Sequence, residues 1–163
     1  MTRLFFLALA PLLLGGPALA QDHPGELPVD PYEVSNANAG ADPLAGAAVY
    51  DAFGGHDGIE RVVARLIVNI QADTRIEGIF RASDWVRLRR TLVEQFCYLL
   101  GGPCDYTGRD MTSVHTDHGI TTAEFNALVE NLQLAMEAEG IPFRSQNRLL
   151  ALLAPMHGEV VTR

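Results

Sequence analysis

Lysine is absent from this 163-residue sequence, and its twelve basic residues are all arginines. Twenty acidic residues outnumber them, which gives a formal net charge of −8 at pH 7. Nucleic-acid binding requires clustered cations that neutralise phosphates, so a chain this acidic is a poor candidate for it. Strand-like alternation, a Ser–His–Asp set and a phosphate-binding loop are also missing from the sequence. These absences point to an all-α protein without the usual hydrolase or nucleotide-binding motifs.

Long apolar runs are confined to the first twenty residues. Residues 1–3 form a short basic start, residues 4–14 are apolar, and residues 18–20 are the small-residue pattern of a cleavage site. This pattern predicts a secretory signal peptide over residues 1–20, cut before Gln21, and therefore a periplasmic protein. The apolar run is short for a membrane span, and an uncleaved anchor is the alternative interpretation. The residue after the cut is not cysteine, which argues against a lipoprotein.

Cysteine is scarce, with only Cys97 and Cys104 in the chain. In an exported protein, two cysteines this close in sequence predict a disulfide bond. The bond would tie the end of a predicted helix to the segment that follows it. Two free, half-buried thiols are the alternative interpretation.

Large apolar residues are nearly missing between residues 21 and 46, where Pro, Gly, Ala, Asp and Asn dominate. Such a segment cannot bury enough surface to offset the entropy lost on ordering, so we predict a flexible tether there. The remaining residues, 47–163, have the length of one folded domain.

Helical periodicity accounts for the folded part. A short apolar segment over residues 47–53 precedes a helix over about 56–72 and a turn, capped by Asp73, that runs to Phe80. Ser83 or Asp84 is expected to cap a second long helix that ends before Gly101. The capping-box residues 121–124 begin a third helix that ends near residue 139, and a fourth begins at about residue 141. The sequence therefore predicts a small all-α domain.

The segment from residue 101 to residue 121 opens with Gly-Gly-Pro, closes with Gly-Ile-Thr and is too short to have its own core. His115 lies in its middle, one turn after Met111 and one turn before His118. A short helix of this kind must pack against something, and a cofactor is one candidate. Zinc is a second candidate, but two histidines do not complete a structural zinc site and the sequence offers no second pair.

Taken together, these markers resemble the group I truncated haemoglobins over about residues 48–160. The resemblance rests on Tyr50–Asp51, Gly54–Gly55, Ile79–Phe80, Gly101–Gly102–Pro103, Tyr106–Met111, His115, Gly119–Thr121 and Phe125. It implies a two-over-two helical sandwich around haem b, which periodicity alone does not predict. It also implies that the protein binds a diatomic gas.

The resemblance assigns His115 as the proximal histidine that ligates haem iron, and places Phe80 against the porphyrin. Further residues are expected to line or adjoin the haem, with ordinary core packing as the alternative for each: Phe96, Leu99, Tyr106, Met111, Ile120, Phe125, Leu128 and Leu153. Arg89 and Arg109 are candidates for pairing with haem propionates, because a guanidinium matches the geometry of a carboxylate. Solvated arginines are the alternative. His118 is expected to be exposed near the haem edge.

The ligand-facing side departs from the family pattern. Group I members commonly carry tyrosine where this chain has Ile67 and glutamine where it has Leu92, and the nearby distal position is Leu88. Bound O₂ carries partial negative charge, which a hydrogen-bond donor stabilises by about 1–3 kcal/mol. Without such a donor, the retention of O₂ falls roughly ten- to a hundredfold. The sequence therefore predicts a bias towards NO or CO. Thr91 or Gln95 turning inwards as a donor is the alternative.

Two functions follow from these residues. The first is a haem protein that binds O₂, NO or CO reversibly, with a role in NO handling, gas sensing or electron transfer to a redox partner. The second is a non-enzymatic interaction or sensor module that keeps the globin fold. A peroxidase-like activity usually needs a distal acid–base group, which the sequence does not offer. We expect no nucleic-acid partner, no stable membrane span after signal cleavage, and a monomer or weak dimer.

Overall fold

The computed structural model describes Leu19 and residues 23–163. Within these residues there are seven α-helices: α1 (Ala48–Ala52), α2 (Gly55–Ala72), α3 (Trp85–Leu99), α4 (Met111–His115), α5 (Thr122–Ala138), α6 (Phe143–Leu153) and α7 (His157–Val160). Short 3-10 helices span Asn36–Ala39, Thr116–His118 and Ala154–Met156. The one β contact in the described part is an isolated antiparallel bridge between Leu19 and Glu33. The all-α prediction is confirmed.

Local capping signals set the starts of the long helices. The Asp84 carboxylate accepts hydrogen bonds from the backbone N–H groups of Val86 and Arg87, at 3.0 and 3.1 Å, so Asp84 and not Ser83 caps α3. Thr121 and Glu124 form a reciprocal capping box at the start of α5. Both arrangements satisfy backbone donors that a helix leaves unpaired in its first turn.

The four long helices, α2, α3, α5 and α6, pack against one another. Helix α2 lies against α3 and α5, while α6 contacts both α5 and α3. The buried side chains of α2 recur at helical spacing, so one face of the helix enters the core: Ile59, Val62, Val63, Leu66 and Ile70. Burying a side chain of this size contributes about 1.5–3 kcal/mol relative to leaving it exposed, and this face anchors the main core.

A second cluster of buried residues lies beside α4. It joins the end of α3, the loop before α4, and the C-terminal end of the chain: Ala39, Leu99, Tyr106, Met111, Ile120, Met156 and Val160. Helix α7, which the sequence did not predict, brings Val160 to this cluster. The backbone N–H groups of residues 162 and 163 donate to the Ile120 carbonyl at 2.9 and 3.1 Å. The chain end thus holds the segment around His115 in place.

Residues 23–46, which we call the N-terminal strap, pack against the domain, and the prediction of a flexible tether is wrong for them. The Glu26 carboxylate accepts hydrogen bonds at 3.0 Å from both Arg87 and Arg90. Further along, Ala39 is fully buried. The composition argument counted only large apolar residues, whereas charge pairs, amide hydrogen bonds and small residues order this segment.

The last residues of the strap pack against the end of α3. The Leu44 N–H donates to the Leu99 carbonyl at 2.9 Å. Gly101 has φ of +81°, and a Cβ atom there would lie 2.7 Å from the Leu44 carbonyl oxygen. Only glycine accommodates both the left-handed backbone and this close approach. Gly101 therefore ends α3 and lets the strap pass directly against it.

The structure describes the two cysteines but, apart from Leu19, not the predicted signal peptide. The predicted signal peptide, residues 1–20, lies outside the described residues except for Leu19, and the cleavage position lies outside them too. Cys97 and Cys104 are paired in a disulfide with their Cα atoms 5.8 Å apart. None of the helices in the described part of the chain has the length and hydropathy needed to cross a membrane.

Candidate functional site

A cavity of about 190 Å³ lies between the long helices and α4. A smaller cavity of about 110 Å³ adjoins it. Both are walled by the same residues along their shared side: Phe80, Leu88, Val114, His115, Phe125, Leu128 and Val160. We call the two together the central cleft. His115 is the histidine common to both cavities, and the other six shared residues are all apolar.

His115 ends α4, a helix of only five residues. Isolated helices of this length are unstable, so neighbouring contacts must fix it. Asp110 caps the helix by accepting hydrogen bonds from the Ser113 N–H at 2.9 Å and the Ser113 hydroxyl at 2.7 Å. Met111 anchors the other face of the first turn in the second buried cluster. The cap and this anchor fix where His115 stands.

The His115 ring is held in one tautomer. Its Nδ1 lies 2.7 Å from the Met111 carbonyl oxygen. A carbonyl can only accept, so Nδ1 carries the proton and Nε2 keeps its lone pair. Burial lowers the pKa of His115, which favours the neutral ring. A neutral imidazole oriented through Nδ1 is the state in which histidine ligates a metal through Nε2.

His118 is exposed, as predicted, and borders only the smaller cavity of the cleft. Within the described residues, the one group of three close metal-ligand side chains is His56, Asp57 and Glu60 at the exposed start of α2. His115 and His118 therefore do not belong to a three-ligand cluster of protein side chains in this part of the chain.

Helices α2 and α3 contribute five apolar side chains to the wall of the larger cavity. We define this α2–α3 wall by the residues Leu66, Ile70, Leu88, Leu92 and Phe96. In the structure Leu88, Leu92 and Phe96 line the larger cavity, whereas Ile67 does not. Ile67 is half-buried and borders a surface groove on the outer side of α2 and α3. Successive helix residues are turned by about 100°, so Leu66 takes the inward position instead.

Thr91 and Gln95 are the polar side chains that α3 contributes to the cavity lining. The Thr91 hydroxyl donates back to the Arg87 carbonyl at 3.0 Å. The Gln95 amide donates to the Ala39 carbonyl at 2.9 Å. In the structure, both candidate donors are engaged by backbone oxygens.

The other predicted haem neighbours fall into three groups. Most of them line the larger cavity: Phe80, Tyr106, Met111, Phe125, Leu128 and Leu153. Ile120 borders only the smaller cavity. Leu99 is buried in the second cluster and does not line the cleft. Phe80 also stacks on Trp85, with ring centroids 6.1 Å apart, which orients its ring beside the cleft.

The two arginines predicted to pair with propionates are separated in the structure. Arg89 is exposed and borders the outer groove with Ile67, away from the cleft, so the structure contradicts its predicted role. Arg89 lies on the face of α3 that points outwards. Arg109 donates to the Asp30 carbonyl at 3.2 Å and lies 5.2 Å from the centre of the Tyr32 ring. It borders a depression that adjoins the cleft edge.

Several residues of the cavity lining were not predicted from the sequence. They are Leu66, Ile70, Val114, Val129, Leu132, Met156 and Val160. Periodicity marks those on α2 and α5 as core residues, but it does not separate a core contact from a cavity wall. Met156 and Val160 belong to the end of the chain, where no predicted element pointed to the site.

An apolar cleft with one half-buried, neutral and oriented histidine, in an all-helical fold, suits a flat apolar macrocycle whose metal needs a nitrogen ligand. These features define the class of haem-binding helical proteins. A family model described as "Bacterial-like globin" matches residues 48–162. The chain belongs to this family, whose usual cofactor is haem b.

Similar proteins narrow the group. The chain is 37% identical over 116 residues to the group 1 truncated hemoglobin GlbN of Mycolicibacterium paratuberculosis, covering 71% of this chain and 85% of that protein. It is 27% identical over 93 residues to the group 1 truncated hemoglobin of Tetrahymena pyriformis, covering 57% of this chain and 77% of that protein. The prediction of a group I truncated haemoglobin is confirmed.

Solved structures support the fold. The truncated hemoglobin of Tetrahymena pyriformis in its Fe(III) form matches with a TM-score of 0.67 at 23% identity, over 71% of this chain and 98% of that one. The 2/2 hemoglobin of Synechococcus sp. PCC 7002, in the cyanomet state with covalently attached heme, matches with a TM-score of 0.66 at 22% identity, over 72% and 100%. The two-over-two fold is therefore confirmed.

Proposed function

We propose that this chain binds O₂, NO or CO reversibly at haem b, with His115 as the iron ligand and the α2–α3 wall facing the gas. The observation that carries the proposal is the His115 ring, which is half-buried, neutral and fixed through Nδ1 by the Met111 carbonyl. Haem iron, when bound, supplies the open coordination position for a diatomic gas. In this proposal His115 binds the iron, the Met111 carbonyl orients the His115 ring, and the residues of the α2–α3 wall face the gas.

The α2–α3 wall supports weak retention of O₂. Leu66, Leu88 and Leu92 line the larger cavity, and their side chains offer no hydrogen-bond donor. Without a donor, the retention of a gas that gains partial negative charge falls roughly ten- to a hundredfold. NO and CO carry less charge separation and lose less. This bias favours a role in NO handling, or in electron transfer with a redox partner, over O₂ storage.

The remaining alternatives find less support. A peroxidase-like reaction uses an acid–base group beside the reacting centre, and the lining of the larger cavity contains no carboxylate. A sensor module that reaches a partner through a long mobile tether is not favoured by a strap whose Glu26 and Ala39 are buried against the domain.

Export is part of the proposal. The basic start, the apolar run and the small residues before Gln21 support a cleaved signal peptide and a periplasmic protein. Mass spectrometry of the protein from a periplasmic fraction should give a chain that begins at Gln21. A product that retains Met1 and stays with the membranes would contradict this part of the proposal.

An absorption spectrum tests the haem site. The purified protein should show a haem spectrum that changes on reduction and again with CO, and His115→Ala should lose it. His56→Ala, which replaces an exposed histidine at the start of α2, is the control and should keep the spectrum. An unchanged spectrum in His115→Ala would show that another residue ligates the iron.

A further inference from the structure

Gln95 brings a carboxamide to the cleft, and the N-terminal strap engages it. Its side chain is 6% exposed and lines the larger cavity. Nε2 donates to the Ala39 carbonyl at 2.9 Å and lies 3.5 Å from the Met111 sulfur. A backbone carbonyl of the strap thus takes the hydrogen bond that this amide could otherwise give to a ligand.

Charge pairs anchor the first half of the strap independently of Gln95. The side chain of Glu26 is 2% exposed and pairs with Arg87 and Arg90, each at 3.0 Å through Oε2. The Leu27 N–H donates to the Asp84 carboxylate at 2.7 Å. Hydrogen bonds to charged groups contribute about 1.5–3 kcal/mol, so these contacts fix the strap on the first turns of α3.

Amide side chains anchor the second half to the loop that precedes α4. Asn36 donates to the Asp105 carboxylate at 2.9 Å and accepts from the Tyr106 N–H at 2.7 Å. Asn38 donates to the Gly108 carbonyl at 3.2 Å. These contacts place the next residue, Ala39, where its carbonyl meets Gln95.

We propose that the strap is a positioning element that holds the Gln95 carboxamide away from the gas, and that Gln95 is the specificity-determining residue it controls. This inference rests on the proposed gas-binding function. A glutamine side chain turns about three bonds, so an amide released from Ala39 can donate into the cavity it lines. A docked strap therefore keeps O₂ retention low, and a released strap raises it.

The test compares O₂ dissociation rates of the ferrous, haem-loaded protein. The release variant combines Glu26→Gln, Asn36→Ala and Asn38→Ala, none of which lines the cavity. Asp42→Asn, an exposed carboxylate on the same strap, is the matched control. Both are made with Gln95 present and in the Gln95→Leu background. Release should slow O₂ dissociation about ten- to a hundredfold only with Gln95 present, and should leave CO dissociation nearly unchanged.

Hydrogen exchange gives a readout that does not depend on gas binding. The Leu44 N–H, bonded to Leu99, should exchange faster in the release variant and not in Asp42→Asn. Gly101→Ala displaces the strap by an unrelated route, because its Cβ would meet the Leu44 carbonyl, and it should slow O₂ dissociation in the same way.

Three results would overturn the inference. O₂ dissociation that stays unchanged while Leu44 exchanges faster would show that Gln95 does not respond to the strap. An equal effect in the Gln95→Leu background would assign the change to another residue. If the Leu44 N–H stays protected from exchange in both the release variant and Gly101→Ala, these contacts do not hold the strap. Failure to bind CO at all would instead refute the proposed function itself.

Discussion

The Asn131 side chain donates a hydrogen bond to the Asp73 carboxylate at 2.7 Å, and this bond ties α5 to the residue that ends α2. Asn131 is 5% exposed, and its amide also donates to the Ala127 carbonyl at 2.9 Å. Arg75 pairs with the same carboxylate at 2.7 Å. The hydrogen bonds from Arg75 and then Asn131 hold the pKa of Asp73 well below its usual range.

Because the pKa of Asp73 is lowered, the free energy of unfolding should decrease at low pH. A lowered pKa in the folded state contributes stability that is present above the unfolded value, near 4, and is lost as pH falls through the folded value. Asp73→Asn should therefore be less stable than the parent at pH 7 and should show a shallower decline below about pH 4. Urea unfolding from pH 2 to pH 7 measures both, with Asp42→Asn as the control. Parallel curves for the parent and Asp73→Asn would contradict the expectation.

Donors placed at Leu92 and at Ile67 should have different effects. Leu92 lines the larger cavity, so Leu92→Gln should slow O₂ dissociation about ten- to a hundredfold. Ile67 borders the outer groove, so Ile67→Tyr should leave the rate within about twofold of the parent. Stopped-flow measurement on the ferrous proteins gives both rates. Equal slowing by Ile67→Tyr would favour the position that family resemblance assigned to this residue.

The cap of α4 should contribute to haem retention. Asp110→Ala removes the hydrogen bonds to Ser113 and should lower the free energy of unfolding by about 1 kcal/mol. It should also speed haem transfer to an excess of a haem-scavenging apoprotein, because His115 ends this helix. Asp110→Ser keeps a capping side chain and should behave like the parent. Unchanged haem transfer in Asp110→Ala would show that Met111 alone positions the helix.

Reduction of the Cys97–Cys104 bond should destabilise the protein. The bond closes a loop of about eight residues and, in the chain-entropy model, contributes about 2.5 kcal/mol. Thermal unfolding with and without a dithiol should show a lower Tm after reduction. The double variant Cys97→Ala/Cys104→Ala should have the Tm of the reduced parent protein, both with and without the dithiol. A free-thiol assay that finds two reactive thiols in the untreated protein would remove the basis of this prediction.

The sequence predicted the elements that depend on neighbouring residues. The capping box at Thr121 and the long helices follow from spacing within a few residues, and His115 followed from its place in a family pattern. The inward position on α2 did not, because Leu66 and Ile67 are both apolar and only packing against α3 separates them. The strap was missed because its partners lie far along the chain: Ala39 and Gln95 are 56 residues apart.

The same separation has a consequence for biosynthesis. Glu26 meets Arg90 across 64 residues, and Tyr32 donates to the Thr107 carbonyl across 75. The ribosome therefore makes the strap long before the helix and loop that receive it. Contacts between residues distant in sequence form late, because closing a long loop costs entropy before the contact compensates. The residues translated early are thus among the last to dock, and Gln95 meets the Ala39 carbonyl only after the helix that carries it has been made.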